Sequence, residues 1–550
     1  VTQPPDQNDA DNQPSSDLKS LYQIAGLLLI IFAARSLALL SVNHAEYTDA
    51  ILQVGQNYFQ QTFWPRGYGM VAGWAALLFN GDKEAGGRLV SALGAALAML
   101  PCFYLACWAL WGGRIRHLNG KQVGQAKRLL VLVFLLFAAS PLVLRWSVRV
   151  MTDSVFLAIF WSSIAFGFAA FSQATHRNPD SKKTLLLFGA ANLIGLFSTF
   201  FRHQGIFLFP FFFCLAVWLC AFGVSNDEET SEDSTPNEPT TRRKSSPILL
   251  LCLAIWILWP LMQSGQAEAH LGQVTHRLGD QHPAAPSFLD QSLQVIAMAE
   301  AYIYLAPYFF TPVITLLALI GWFHPVLTNQ RLGLLLLLAL ILFAQVLGSQ
   351  AFFQSFLSRY LLPLIPLVTI LAALGADYLL RKTKIVGTIV VATGIIYGLV
   401  LGGASLWLQR QTFGDIAEAA VALREETPIN AVIYSNETYK SEAGMGAIKL
   451  EWWSSRPNIL PYQALAEGNI PRGAYVVLSS AYGGPEFFRA AEAQLKRQFR
   501  AEVVAGPFES EIVPLLPDVM EAPRFGHQSP MAWIYRFAPQ RFRTTIYQLP

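Results

Sequence analysis

The sequence predicts a polytopic α-helical membrane protein with about eleven transmembrane helices, followed by a small α/β domain. Three observations carry this. Of the 550 residues, 53% are hydrophobic and only 14% charged, more apolar surface than a water-soluble protein of this size can hide. The apolar residues come in blocks of about twenty, the length that crosses the hydrocarbon core as helix. After about residue 408 the blocks stop, charges return, and helix-like and strand-like runs alternate.

Residues 1–18 are rich in Asp, Asn, Gln, Pro and Ser and bury almost nothing, so a disordered cytoplasmic tail is expected there. The membrane part covers 19–407. Its first apolar block, about Leu21 to Leu40, lacks a small-residue cleavage signature and is followed by further spans, so it is expected to stay as a helix. Further spans are expected at about 86–110, 129–144, 154–173, 184–199, 204–222, 247–263, 301–323, 332–349, 360–380 and 385–407.

Orientation follows from the loops. One alternate set holds Arg114, Arg116, Lys121, Lys127 and Arg128, then Arg177, Lys182 and Lys183, then Arg242, Arg243 and Lys244, then Arg381, Lys382 and Lys384. The positive-inside bias makes these loops cytoplasmic, with the N-terminus inside and the end of the last span outside. The acidic stretch Asp227 to Glu238 falls in the inside set and, in its Ser, Thr and Pro company, is expected to be a flexible loop.

Residues 408–550 then form an extracytoplasmic (trans-side) domain. Helices are expected over Asp415–Glu426 and Pro485–Phe499, and strands over Ala431–Tyr434, Ala474–Ser479, Ala501–Val504 and Trp533–Phe537. The formal net charge of +3 is small and the basic residues are scattered, which gives no support to nucleic-acid binding. The five cysteines, Cys102, Cys107, Cys214, Cys220 and Cys252, lie in or at the ends of apolar blocks and are expected to be small buried apolar residues.

Three trans-side places hold polar residues that fit badly with their surroundings. The first is Asn43-His44-Ala45-Glu46-Tyr47-Thr48-Asp49, before the aromatic run Tyr58, Phe59, Phe63 and Trp64. Glu46 and Asp49 share a face if this stretch is helical, and a carboxylate at a lipid interface gains basicity by desolvation. Solvated acids on an interfacial amphipathic helix give the same pattern. The second is Arg145-Trp146-Ser147-Val148-Arg149-Val150-Met151-Thr152-Asp153, in which Arg145, Arg149 and Asp153 recur at spacing four and would form one polar stripe on a helix. Charge at membrane depth is costly enough to suggest function. The alternative is snorkelling to headgroups, with Asp153 pairing Arg149. The third is a pair of lone cations, Arg202 and Arg359, each at the top of a helix. Arginines converging at one face would clamp a phosphate.

These parts fit one reaction. Transfer of a sugar from a polyprenyl phosphate needs a base for the acceptor hydroxyl, and its phosphate leaving group departs as a stabilised anion. A glycosidase needs a second carboxyl group as acid. His270, His276, Asp280 and His282, in the outer loop of about 264–300, match no standard ligand spacing, so an ordinary loop is expected there. In Glu451-Trp452-Trp453 and at Tyr462, the tryptophans and the tyrosine offer aromatic faces that stack on sugars or pack a domain core.

At these residues the sequence resembles the integral-membrane glycosyltransferases of the GT-C fold, in particular the bacterial relatives of protein O-mannosyltransferases and aminoarabinose transferases. The likeness covers about 21–407. The family's first outer loop carries an acidic motif followed by tyrosine, commonly Asp-Gly-Ala-Glu-Tyr or Asp-Glu-Ala-x-Tyr. Here it is Asn43-His44-Ala45-Glu46-Tyr47, with asparagine in place of the leading aspartate. Asp153 matches an acid that ends the second outer loop; Thr199, Arg202 and Gly205 match Thr-x-x-Arg-x-x-Gly, and Arg359, Tyr360 and Pro363 match Arg-Tyr-x-x-Pro.

The resemblance implies catalytic roles for Glu46, Asp49 and Asp153, and donor-phosphate contacts for Arg145, Arg149, Arg202, His203, Arg359 and Tyr360. It also implies a polyprenyl-phosphate-linked sugar donor, a glycan, lipid or protein acceptor, an inverting single displacement and a bacterial cytoplasmic membrane. Oligosaccharyltransferases of this fold use a divalent metal, but the closer relatives require none, so no metal and no cofactor is expected. The rival readings are a flippase for lipid-linked sugars, against which stand the absence of internal repeats and of midplane charges, an O-antigen polymerase or ligase, and an inactive homologue.

Overall fold

The computed structural model describes residues 16–38, 48–59, 65–113, 118, 120–175, 181–222, 246–258, 309–353, 356–408, 410–437, 439–441, 444–467, 470–482, 484–512, 519–520 and 540–550. Residues 1–15, Glu46, the acidic stretch Asp227 to Glu238, the histidines of the 264–300 loop and the expected strand Trp533–Phe537 lie outside them.

In chain order the helices are α1 Ser16–Ala38, α2 Thr48–Val54, α3 Gln56–Phe59, α4 Gly67–Ala76, α5 Lys83–Leu97, α6 Met99–Trp111, α7 Gly120–Ala138, α8 Pro141–Trp146, α9 Asp153–Ala174, α10 Ser181–Ser198, α11 Leu208–Phe222, α12 Ser246–Trp256, α13 Pro312–Trp322, α14 Asn329–Phe353, α15 Ile365–Lys382 and α16 Lys384–Leu408. Among the described residues, seven stretches are long and apolar enough to cross a membrane: Lys19–Ser36, Lys83–Trp111, Asp153–Ala174, His203–Cys220, Asn329–Leu347, Arg359–Lys382 and Lys384–Leu408. Four further expected spans coincide with α7, α10, α12 and α13, which are shorter or more polar.

Two expectations change. The span expected at 129–144 is broken, because α7 ends at Ala138 and α8 begins at Pro141. Proline has no N–H to continue a helix but suits its first turn. The first outer loop, for which an interfacial helix is one reading, folds into α2, α3, α4 and a 3-10 turn at Leu77–Phe79, segments too short to cross the bilayer. Of the cysteines, Cys102, Cys107 and Cys252 are buried as expected, whereas Cys214 is exposed and Cys220 half-exposed.

Without a hydrophobic drive between helices in lipid, close approach needs small residues. A Cβ at Gly321 of α13 would run into the Leu371 carbonyl of α15, and one at Gly375 into the Leu317 carbonyl. On α16, Gly398 faces the Ala139 carbonyl and Gly402 faces Leu144, so α16 seats directly on the α7–α8 break. At the far end of α15, fully buried Asp377 accepts from Arg128 Nε at 2.7 Å, Gln125 Nε2 at 2.8 Å and Arg381 Nη2 at 3.0 Å.

After α16 come α17 Gly414–Glu426, α18 Ile448–Ser454 and α19 Gly484–Gln498 around a sheet. Its strands are β2 Ile433–Ser435, β5 Leu460–Pro461, β6 Tyr475–Ser479, β7 Glu502–Ile512 and β9 Gln540–Gln548, in the order β5-β2-β6-β9-β7, while β3 Tyr439–Ser441 and β4 Gly444–Gly446 form a separate antiparallel pair. β5, β2 and β6 are parallel, and β9 and β7 continue the sheet antiparallel. Ile416, Leu423, Ile433, Leu450 and Val477 pack one face, and Tyr434, Val476, Phe488, Leu495 and Tyr547 pack the other. A short strand pair, β1 Phe356–Leu357 with β8 Val519–Met520, ties this region to the helix bundle.

Candidate active site

Three turns meet at one end of the bundle: 147–152 before α9, 199–202 after α10, and the 3-10 turn Ser358–Leu364 before α15. Each carries charge that the sequence singled out.

The first turn is pinned from several elements. The Ser91 hydroxyl donates to the Met151 carbonyl at 2.9 Å, and the Ser154 hydroxyl to the Trp146 carbonyl at 3.0 Å. The Thr152 N–H donates to Gln53 Oε1 of α2 at 3.1 Å, and the Thr152 hydroxyl to the Phe201 carbonyl at 3.1 Å. These bonds fix Asp153 at the start of α9, where the helix dipole favours a carboxylate.

The second turn is tight because Gly205 returns onto it: a Cβ there would strike Ser198 and the Thr199 backbone, and the Gly205 N–H donates to the Arg202 carbonyl at 3.0 Å. The Thr199–Arg202–Gly205 motif therefore fixes the exit angle of Arg202. In the third turn the Pro363 carbonyl accepts the Trp161 indole N–H at 3.0 Å, which docks the Arg359–Tyr360–Pro363 motif against α9.

The result joins Asp153, Arg202, Tyr360 and Arg359. Arg202 Nη1 donates to Asp153 Oδ1 in a buried ion pair. The Arg202 guanidinium lies 5.5 Å from the Tyr360 ring centroid and 6.0 Å from that of Phe156, and Arg359 lies 5.7 Å from Tyr360. Such contacts over ring faces stabilise a desolvated cation.

The expected helical stripe Arg145–Arg149–Asp153 is corrected. α8 ends at Trp146, so Arg145 lies in a last helical turn, Arg149 in the connection and Asp153 on the next helix. Asp153 pairs with Arg202, not Arg149. Arg145 and Arg149 are nevertheless 1% and 2% exposed, too buried to snorkel to headgroups, and the Arg149 guanidinium lies 5.1 Å from the Trp146 ring. α8 packs against the Ser358–Leu364 turn that bears Arg359. His203 is half-buried at the start of the next 3-10 turn.

Among the acids of the first outer loop, Glu46 lies outside the described residues, and Asp49 falls within α2. Trp452 and Trp453 contact the helix bundle. Their indole N–H groups both donate to Glu84 Oε1, at 2.9 and 3.0 Å, docking the sheet domain onto α5 beside α2 and α3. Tyr462 packs edge-on against Phe487 with its hydroxyl on Gln494 Oε1 at 3.2 Å, a core position. Among the described residues no cluster of three or more His, Cys, Asp or Glu has the arrangement of a metal site.

Two contributors escaped sequence reading. Arg35 of α1 donates to the Ala138 carbonyl at 2.8 Å and to the Ser147 hydroxyl at 3.1 Å, bracing the α7–α9 region. Its signal was a lone charge in the last turn of an apolar block. Gln53, 1% exposed, had no signal beyond a polar residue in a short amphipathic run.

No protein-family model and no curated protein matches the sequence. Solved structures match in shape. The crystal structure of ArnT from Cupriavidus metallidurans bound to undecaprenyl phosphate aligns over 94% of this chain and 97% of that one, with TM-score 0.55 and 13% identity. The apo-state crystal structure of the same protein aligns over the same shares with TM-score 0.52 and 13% identity. Over nearly its whole length, the chain therefore has the fold of ArnT.

Proposed function

We propose that the chain is a membrane glycosyltransferase that moves a sugar from a polyprenyl-phosphate donor to a lipid, glycan or protein acceptor. One observation carries the reading. At one end of the bundle the buried ion pair of Arg202 with Asp153 lies beside Tyr360 and Arg359, and Arg145 and Arg149 are buried in α8 and the connection that follows it. Arginine forks match phosphate oxygens. The fold neighbour ArnT was crystallised with undecaprenyl phosphate, a ligand of this chemistry.

In the proposed reaction the acceptor oxygen attacks the anomeric carbon as the bond to the carrier phosphate breaks, inverting that centre. Carrier phosphate leaves as an anion, and the arginines stabilise its growing charge. A carboxylate of the first outer loop, Glu46 or Asp49, takes the acceptor proton. Asp153, held through Oδ1 by Arg202, orients the reacting groups. The reading places this end of the bundle and the sheet domain outside a bacterial cytoplasmic membrane, opposite the Lys/Arg-rich loops.

The test is retention of undecaprenyl phosphate by the purified protein in nanodiscs, followed by native mass spectrometry. Wild type is expected to hold it, and Arg149→Ala with Arg359→Ala to weaken it by tenfold or more, about 1.4 kcal/mol or more. Equal retention in both proteins would remove the arginines from the phosphate site.

A further inference from the structure

Two buried polar atoms beside the Arg202–Asp153 pair have no hydrogen-bond partner among the described residues: Gln53 Nε2 and Asp153 Oδ2. Both side chains are 1% exposed. We propose that these two atoms together bind one hydroxyl group of a substrate, Gln53 donating to it and Asp153 accepting from it. The proposal rests on the glycosyltransferase reading above and adds a recognition site to it.

The orientation of the Gln53 amide is not arbitrary. Its Oε1 receives the Thr152 N–H at 3.1 Å, and a flipped amide would set two donors against each other. Nε2 is therefore a donor, held beside the residue that precedes Asp153. Asp153 gives Oδ1 to Arg202 and keeps Oδ2 as an acceptor. A buried donor and a buried acceptor left open are each costly.

The polarity of the pair selects its ligand. A phosphate oxygen would satisfy Gln53 and be repelled by Asp153, and an ammonium group would satisfy Asp153 and leave Gln53 open. A hydroxyl accepts one bond and donates another, so it satisfies both. The hydroxyl comes from the donor sugar or from the acceptor, and both sources lie in reach of the reaction the site is proposed to run. Gln53 also sits one helical turn after position 49 on α2, so the same short helix would carry the base-bearing segment and this contact.

The test uses the full chain in nanodiscs as wild type, Gln53→Met and Gln53→Glu. Gln53→Glu keeps an acceptor for the Thr152 N–H but no longer donates, which separates bracing from binding. The probes are undecaprenyl phosphate, the same lipid carrying a hexose, and hexoses lacking one hydroxyl each. If the hydroxyl belongs to the donor, both variants lose retention of the hexose-bearing lipid by roughly tenfold to hundredfold and keep retention of undecaprenyl phosphate. One deoxy sugar should reproduce that loss in wild type and show no further loss in the variants. If it belongs to the acceptor, both lipids bind as in wild type and the acceptor KM rises by a similar factor.

Wild-type retention and wild-type acceptor KM in the variants would show that water alone fills the pair and overturn the proposal. So would wild-type behaviour of Gln53→Glu, or parallel loss of both lipids, the mark of a structural role. Failure of wild type to bind any undecaprenyl lipid would instead bring down the glycosyltransferase reading, and this inference with it.

Discussion

Arg202 and Asp153 are buried partners from two different helix ends, so their charges were removed from water together. Removing one leaves the other uncompensated, which typically costs about 3–5 kcal/mol. Arg202→Ala is expected to lower the thermal unfolding temperature sharply in detergent, and Arg202→Lys to restore only part of it, because an ammonium lacks the planar fork. An unchanged melting temperature in Arg202→Ala would show that the pair is not an energetic unit. The sequence marked both residues as charges in expensive places, and its four-residue spacing offered Arg149 as an alternative partner for Asp153. The true partner lies 49 positions away, and such a contact becomes visible only once α9 and α10 have packed.

A second residue-scale prediction concerns Glu451, in the sheet domain. Burial raises its carboxyl above the ordinary 4.5, the bond from the Ile459 N–H at 3.0 Å opposes, and the nearby Glu437 charge adds to the rise. The folded state thus holds this proton more tightly than the unfolded chain does. Stability should be full below 4.5 and decline as pH rises from there through the folded value. Glu451→Gln keeps the Ile459 bond and is expected to flatten that decline in thermal unfolding of the full chain. An unaltered slope would remove Glu451 as its source.

At the scale of elements, the connection from α7 to α9 is the part that most shapes the site. Pro141 ends the run that hydropathy alone continues to 144 and begins α8, whose end at Trp146 leaves Arg145, Arg149 and Asp153 without a common helical face. α16 holds that break through Gly398 and Gly402. Gly398→Val should push α16 off the Ala139 carbonyl and lower stability by about 1–3 kcal/mol, read by thermal unfolding. A neutral result would show that α16 can slide.

The Glu84 latch belongs to the same scale. Two indole N–H groups end on one carboxylate oxygen, while Trp452 packs on Tyr58 and Phe59 with ring centroids 6.0 and 6.1 Å apart. Glu84→Ala leaves both donors open at about 1–3 kcal/mol each. Faster amide exchange in α2, α3 and α18 is expected, with α9 and α15 unaffected. Unchanged exchange would mean that the latch does not hold the domain down. The long helices are legible in sequence because apolar length is a signal in itself. The latch is not, because Trp452 and Trp453 look alike whether they stack on a sugar or seal an interface.

At the scale of the whole molecule, charge gathers at two opposite ends of α15. Asp377 with Arg128 and Arg381 closes one end in a satisfied network. Asp153, paired with Arg202 beside Arg359 and Tyr360, keeps Oδ2 without a hydrogen-bond partner among the described residues at the other. The first is a staple and the second is the proposed binding site. The most direct measurement of the central claim is transfer from undecaprenyl-phosphate-linked sugars to lipid, glycan and peptide acceptors by the purified protein in nanodiscs, alongside Asp153→Asn, Glu46→Gln and Asp49→Asn. Turnover by wild type with inverted anomeric configuration, and its loss by a hundredfold or more (about 2.7 kcal/mol or more) in Asp153→Asn and in one of the other two variants, is the predicted result. Full activity in all three variants, or a retained configuration in the product, would contradict it.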